Sequence, residues 1–187
     1  MIPKFGNPTN PSNEILKEIE KIGKMGFDFA EIGIEGPKAF PEILVRKKRE
    51  ILKLLDKYGM FAIAHTAWFI DIGSPYENVR RAWVGEGKKA IEVANELGIK
   101  LVNFHFECIP PLLFKDGRTK RKILDNHVRS LRELVEHAKD HEITVMLENG
   151  VLNRGCSDAE NYKYVVDRVK GLKVHIDVGH AFVHGGM

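Results

Sequence analysis

Asp177 and His180 stand three residues apart in the stretch Val174-His175-Ile176-Asp177-Val178-Gly179-His180-Ala181-Phe182. A carboxylate and an imidazole delivered by the end of an apolar strand can take up a divalent cation or exchange protons with a substrate. Three earlier apolar runs end in the same kind of residue. Phe61-Ala62-Ile63-Ala64 leads to His65, Leu101 to Phe104 leads to His105, and Val145-Met146-Leu147 leads to Glu148. Side chains alternate along a strand, so parity tests whether these residues can meet. Ile63 and His65 share a face, as do Leu101, Asn103 and His105, then Thr144, Met146 and Glu148, then His175 and Asp177. If that face is the inside of a barrel, His65, His105, Glu148 and Asp177 point into one mouth, with His180 on the loop above. Two carboxylates and three imidazoles around one cavity repel one another's protons and invite a cation. The expected site is therefore a metal site.

Each residue alone has a plainer reading. A strand-end histidine is more often a satisfied polar residue, and Glu148-Asn149 can simply bond a loop amide. It is the shared parity that sets the group apart. His127, His137 and His141 fall on or just past one helical pattern, where a solvated face accounts for them, and His175 reads as a buried neighbour that supports a ligand.

The elements that must position these residues alternate between strand and helix. The pattern gives a short strand within Met1 to Gly6, then a turn at Asn7 to Pro11 with Asn10 capping a helix that Pro11 begins. Ile15, Ile19 and Ile22 recur at helical spacing until Gly26. Strands follow over Phe27 to Ile34, Met60 to Thr66, Ile99 to Phe106, Ile143 to Asn149 and Leu172 to Val178. Between them lie helices from Pro41 to Gly59, Tyr76 to Leu97 and Lys120 to Asp140, the last with the stripe Leu124, Val128, Leu131 and Val135. Ser157-Asp158-Ala159-Glu160 is a capping box for a shorter helix. This order predicts parallel strands with right-handed helical crossovers. No G-x-G-x-x-G follows the first strand, so a dinucleotide-binding open sheet lacks support, and polar strand ends favour a (β/α)8 barrel, whose sites gather at the carboxyl ends of its strands.

Composition sets wider bounds. A chain of 187 residues, 43% hydrophobic, can bury a sizeable core as one domain. With 29 Lys+Arg against 26 Asp+Glu the net charge is +3, which permits an anionic partner and demands none. The basic stretch Lys115 to Lys122 reads as a solvated loop. No apolar run has the length of a membrane span and no signal peptide core is present, so a cytoplasmic protein without a membrane partner is expected. Cys108 and Cys156 read as free thiols. The absence of glutamine and the 29% charged content suit a hyperthermophilic source.

His65, His105, Leu147-Glu148-Asn149 and Asp177-Val178-Gly179-His180-Ala181-Phe182 together resemble the xylose isomerase-like barrel superfamily, which holds metal-dependent sugar and sugar phosphate isomerases and epimerases as well as endonuclease IV. The resemblance covers most of the chain. It implies that Glu148 and Asp177 ligate a divalent ion (Mn, Mg, Co or Zn), that Glu148 and His180 serve catalysis, and that His65, Trp68, His105 and His180 line a carbohydrate pocket. In the endonuclease IV version His65, His105 and His180 join Glu148 and Asp177 in a zinc cluster, and nucleic acid replaces the sugar, with Trp68 wedged into a DNA stack. The surroundings match that version less well, because Asn103-Phe104-His105-Phe106-Glu107-Cys108 lacks its proline and glycine after the histidine. The expected function is a sugar or sugar phosphate isomerase or epimerase. An abasic-site endonuclease is the first alternative, and a non-catalytic carbohydrate-binding or interaction barrel the second.

A full barrel has eight strands and typically about 250 residues. Six strands precede Met187, so residues 1–187 are expected to form a single incomplete barrel domain. In this reading the chain ends in mid-loop at Gly185-Gly186, the remaining ligands lie beyond Met187, and turnover by the fragment is weak or absent. Exposed sheet edges would then favour pairing into a homo-oligomer.

Overall fold

The computed structural model describes residues 2–107, 115–150 and 158–185, without the side chains of 183–185. Both cysteines, Ser157 and Gly186 lie outside these residues. Six parallel strands alternate with helices, and strand order follows the chain: β1 (Gly6–Pro8), β2 (Phe29–Ile34), β3 (Phe61–Thr66), β4 (Leu101–Phe106), β5 (Thr144–Asn149) and β6 (Lys173–His175). The expected α/β architecture of TIM-barrel type, with about six strand-helix units, is the one observed. Two compact units divide the chain, residues 1–67 with 89–102, and residues 68–88 with 103–187. None of the described helices is long and apolar enough to cross a membrane.

In the first unit β1, β2 and β3 pair in register, Gly33 opposite His65. Helix α1 (Ile15–Lys24) buries Ile15, Ile19 and Ile22 against α3 (Lys48–Lys57), which answers with Ile51 and Leu55. Each such side chain stabilises by about 1.5–3 kcal/mol when fully removed from water. Three local expectations need correction here. The first strand is Gly6–Pro8 rather than within Met1 to Gly6, because Asp28 draws the chain in by accepting from the Phe5 amide (2.9 Å) while the Asp28 amide bonds the Phe5 carbonyl (2.7 Å). Asn10 does not cap α1. Its carboxamide oxygen accepts from the Ser12 amide (2.9 Å) in a local turn, and the helix begins four residues beyond Pro11. The helix expected from Pro41 to Gly59 is two, α2 (Pro41–Arg46) and α3, divided at Lys47, whose ammonium is held by Glu14 at 2.9 Å.

The second unit is built on α5 (Gly117–Lys139) lying against β5, touching Phe106 of β4 through His127, with α6 (Ala159–Val166) beside it. Its stripe of Leu124, Val128, Leu131 and Val135 is buried as expected, joined by Ile123, Leu134 and Ala138. Asp116 caps α5 by accepting from the Thr119 amide (2.8 Å), so residues 117–122 are helical rather than a basic loop. Asp158 caps α6 in the same way, accepting from the Asn161 amide at 2.7 Å. Strand β6 is short, and residues 178–185 form helix α7 (Val178–Gly185) where a loop was expected.

His127 corrects another expectation. It is 0% exposed rather than solvated. Its Nδ1 lies 3.0 Å from the Ile123 carbonyl, its ring stands edge to face with Phe106 at 5.0 Å, and Gly73 packs on it so closely that a Cβ there would lie 1.9 Å from the imidazole. Burial pushes the imidazole down to about 4 from its ordinary 6.5, against the pull of the Ile123 and Glu107 carbonyls. A folded-state value below the unfolded one means the unfolded chain binds more protons between the two. The associated stability is whole above pH 6.5 and is lost as pH falls towards 4. His127→Gln, which cannot titrate, should therefore flatten the fall in unfolding free energy over that range by up to about 1.4 kcal/mol per pH unit. Urea unfolding at pH 7, 6 and 5 measures this, and parallel curves for the two proteins would show that His127 is not held neutral.

Candidate metal centre

Glu148 closes β5, 3% exposed, among groups from β4, β6 and the start of α7. From β4, Asn103 donates its carboxamide N–H to Oε2, and His105 Nε2 lies 3.4 Å from the same oxygen. From β6 comes His175, whose position in register is directly opposite Glu148 and whose Nδ1 is 3.5 Å from Oε2. His180 Nδ1 approaches the other oxygen, Oε1, at 3.5 Å. Burial pushes the Glu148 carboxyl above the ordinary carboxylate range. The Asn103 hydrogen bond and the charges His175 and His180 can carry pull it back, and Asp177 raises it further.

Backbone bonds fix the remaining donors. The chain leaves β5 at Gly150, where a Cβ would lie 2.3 Å from the Phe106 carbonyl oxygen, so only glycine lets the end of β5 sit this close to β4. Asn149 then grips the backbone of Asp177 at two points. Its Oδ1 accepts from the Asp177 amide (2.7 Å) and its Nδ2 donates to the Asp177 carbonyl (3.0 Å). Asp177 caps α7, its Oδ1 accepting from the His180 amide at 2.7 Å. His180 Nδ1 lies 2.8 Å from the Asn149 carbonyl, and a carbonyl only accepts, so Nδ1 carries the proton. In the neutral ring that leaves the lone pair on Nε2, 3.9 Å from Asp177 Oδ2.

One ligand atom each from Glu148, Asp177 and His180 falls within 4.8 Å of the others. Metal–ligand bonds of about 2 Å bring such donors to roughly 3 Å apart, a closure that side-chain rotation supplies. Two oxygens and one imidazole nitrogen suit Mn, Mg, Co or Zn. A second observation agrees with the fit. His175 Nδ1 is buried beside Glu148 with no hydrogen-bond partner, as expected where the neighbouring carboxylate faces a positive charge.

The second unit thus brings together His105, Glu148, Asp177 and His180. His180 stands on the first turn of α7 rather than on a loop, and His175 lies nearer the carboxylate than expected. His65 ends β3 in the first unit, partly buried. Trp68 opens the second unit, 49% exposed, with its ring edge to face against Phe69 at 5.8 Å. Two residues were not picked out as contributors from the sequence. Asn103 was detectable, since it shares a face with His105. Tyr162 was not. It reaches from α6 to the Leu147 carbonyl (2.6 Å), its hydroxyl pushed up to about 12 by burial and by the Glu148 charge.

Parallel strands alternating with helices and ending in these donors define an α/β protein of the TIM-barrel type. The chain belongs to the xylose isomerase-like TIM barrel family, whose model matches residues 19–187. It is 25% identical to a probable endonuclease 4 of Aquifex aeolicus over 97% of this chain and 64% of the relative, and 32% identical to an uncharacterized protein of Methanocaldococcus jannaschii over 91% and 58%. Among solved structures it is similar to a D-tagatose 3-epimerase-like protein, with TM-score 0.82 and 30% identity over 96% of this chain and 66% of that one. It shares the fold of a D-psicose 3-epimerase solved in the presence of D-fructose, with TM-score 0.75 and 17% identity over 99% and 67%. The chain spans less than two thirds of the length of the curated relatives it matches.

The double grip of Asn149 on Asp177 can be tested alone. Asn149→Ala removes both bonds and should cost about 1–3 kcal/mol of stability. Amide exchange at Asp177 should accelerate while Val145 at the centre of β5 stays protected. Unchanged exchange at Asp177 would show that the grip does not hold the carboxylate's backbone.

Proposed function

We propose that this chain carries the metal site of an isomerase or epimerase acting on a sugar or sugar phosphate by proton transfer next to a carbonyl. The observation that carries the reading is the cluster of Glu148 at the end of β5 with Asp177 and His180 at the cap and first turn of α7, all in one unit. The likeness to the D-tagatose 3-epimerase-like structure, the one reported above with the highest TM-score, supports a carbohydrate as the substrate. Glu148, Asp177 and His180 Nε2 would hold a divalent ion, which when bound supplies positive charge beside two adjacent substrate oxygens.

The residues themselves do the rest. Glu148, with its proton affinity raised by burial, is poised to take a proton from the carbon beside the carbonyl. Asn103 holds its carboxylate in one orientation, with His175 Nδ1 3.5 Å away. His180 presents a nitrogen lone pair of fixed direction because Asn149 fixes its tautomer. His105 borders the same carboxylate, and Trp68 of the same unit would line the substrate side of the pocket. The complete protein would be cytoplasmic.

The test begins with binding. Titrating the 187-residue chain with Mn2+ should show one site, weakened by about 10–100-fold or more in Glu148→Gln and in Asp177→Asn. The protein is then incubated with D-tagatose or D-fructose and Mn2+ in D2O, and proton NMR follows loss of the signal from the carbon beside the carbonyl. Washout should be slow in this chain and absent in Glu148→Gln. Equal Mn2+ affinity in all three proteins would overturn the site, and washout independent of Glu148 would overturn its role.

A hydrolytic reading has its own support in the probable endonuclease 4 of Aquifex aeolicus, which aligns over 97% of this chain. It makes the site a zinc cluster acting on abasic DNA, with His105 as a further ligand. Several tightly held zinc ions per chain, together with cleavage of an abasic duplex, would favour it over the isomerase.

A further inference from the structure

Residues 68–76 run from the end of β3 to α4 (Glu77–Glu96) and carry Trp68 and Phe69, two aromatic rings that are both about half exposed. Phe69 in turn meets Trp83 on α4, ring centres 6.2 Å apart. Two aromatic rings of this loop stand half in water, and its apolar anchor is the single side chain of Ile72, 0% exposed. Around Ile72 the loop is also fastened by polar bonds to α5.

Ser130 Oγ donates to the Ile72 carbonyl at 2.7 Å, and Asn126 Nδ2 donates to the Ser74 carbonyl at 2.6 Å. Both α5 side chains are themselves held. Arg80, 3% exposed, donates to Ser130 Oγ at 2.8 Å while its guanidinium spans Glu77 and Glu133. Arg129 donates to Asn126 Oδ1 at 3.1 Å, which fixes the direction of the carboxamide. Between these two bonds Gly73 lies flat on the His127 ring with no room for a Cβ. Asn126, His127 and Ser130 form a buried polar strip of α5 beside its apolar stripe, and each meets the loop. A helix that only had to bury itself would carry aliphatic side chains at these positions.

We infer that Asn126, Ser130 and Arg80 are positioning residues that lock residues 68–76 onto α5, so that Trp68 stands as a fixed aromatic wall rather than on a mobile lid. A ligand meeting a wall already in place does not have to order it, which raises affinity without any added contact.

The chain has two tryptophans, Trp68 and Trp83, so Trp83→Phe leaves Trp68 as the only indole reporter. In that background Ser130→Ala should raise acrylamide quenching of Trp68 by about twofold and shift its emission to the red, with the far-ultraviolet circular dichroism unchanged. Gly73→Ala should do the same from the opposite side, pushing the loop off His127 while every α5 side chain is intact. Val145→Ala, a core truncation on β5, should lower the melting temperature and leave Trp68 quenching as it was. The inference is overturned if neither loop variant changes the signal, or if Val145→Ala changes it as much. If Ser130→Ala does not fold, Gly73→Ala decides. Adding D-tagatose with Mn2+ tests the link to the proposed function, on which only this last arm rests. Protection of Trp68 by the sugar, reduced several-fold in Gly73→Ala, joins the wall to substrate binding. Locking without any sugar effect would overturn the carbohydrate reading and leave the locking established.

Discussion

A carboxylate taken out of water is the constraint around which the second unit is arranged. Removing the hydration of Glu148 costs several kcal/mol unless the interior offers equivalent partners. Three neighbouring segments answer that demand, with Asn103 from β4, His175 from β6 and His180 from the start of α7. Asn103 could not approach if β5 stood further from β4, and Gly150 permits the close spacing. The same partners that compensate the charge leave it imperfectly neutralised, with Asp177 as a second carboxylate at hand. A site in this condition would gain stability from the proposed cation, which would tie the energetics of the fold to the chemistry of the site.

Much of the architecture was legible because parallel strands and amphipathic helices leave strong periodic signals. The strands at Phe29–Ile34, Phe61–Thr66, Leu101–Phe106 and Thr144–Asn149, and the helices between them, lie within two or three residues of where apolar runs and glycine stops placed them. Strand parity was the most informative signal in the site, since it put His105 and Glu148 on one face before any contact was known. Signals that depend on a tertiary partner were not readable. Nothing local marks Gly6–Pro8 as the first strand, because Asp28 holds it from elsewhere in the chain. Helix α7 was missed because its cap is Asp177, a residue already assigned as a ligand.

Buried polar residues were the other blind spot. His127 and Ser130 sit within a helix whose apolar stripe is complete without them, so their natural reading is a solvated face. The partners of Asn126 and Ser130 are main-chain groups more than fifty residues earlier, and carbonyl acceptors such as Ser74 and Ile72 have no sequence signature. Helix α5 thus has two faces in use, one packing the sheet through aliphatic side chains and one holding a loop through polar ones.

Asp177 offers one carboxylate oxygen to the first turn of α7 and leaves the other for the site. The two uses share one χ1 and one χ2, so neither can change without the other. An ion bound at the proposed site that favoured one rotamer of Asp177 would also bias the cap of α7, and by linkage the capped state would alter the affinity for that ion by the same factor. The proposed ion and the first turn of α7 would thus draw on the same side chain.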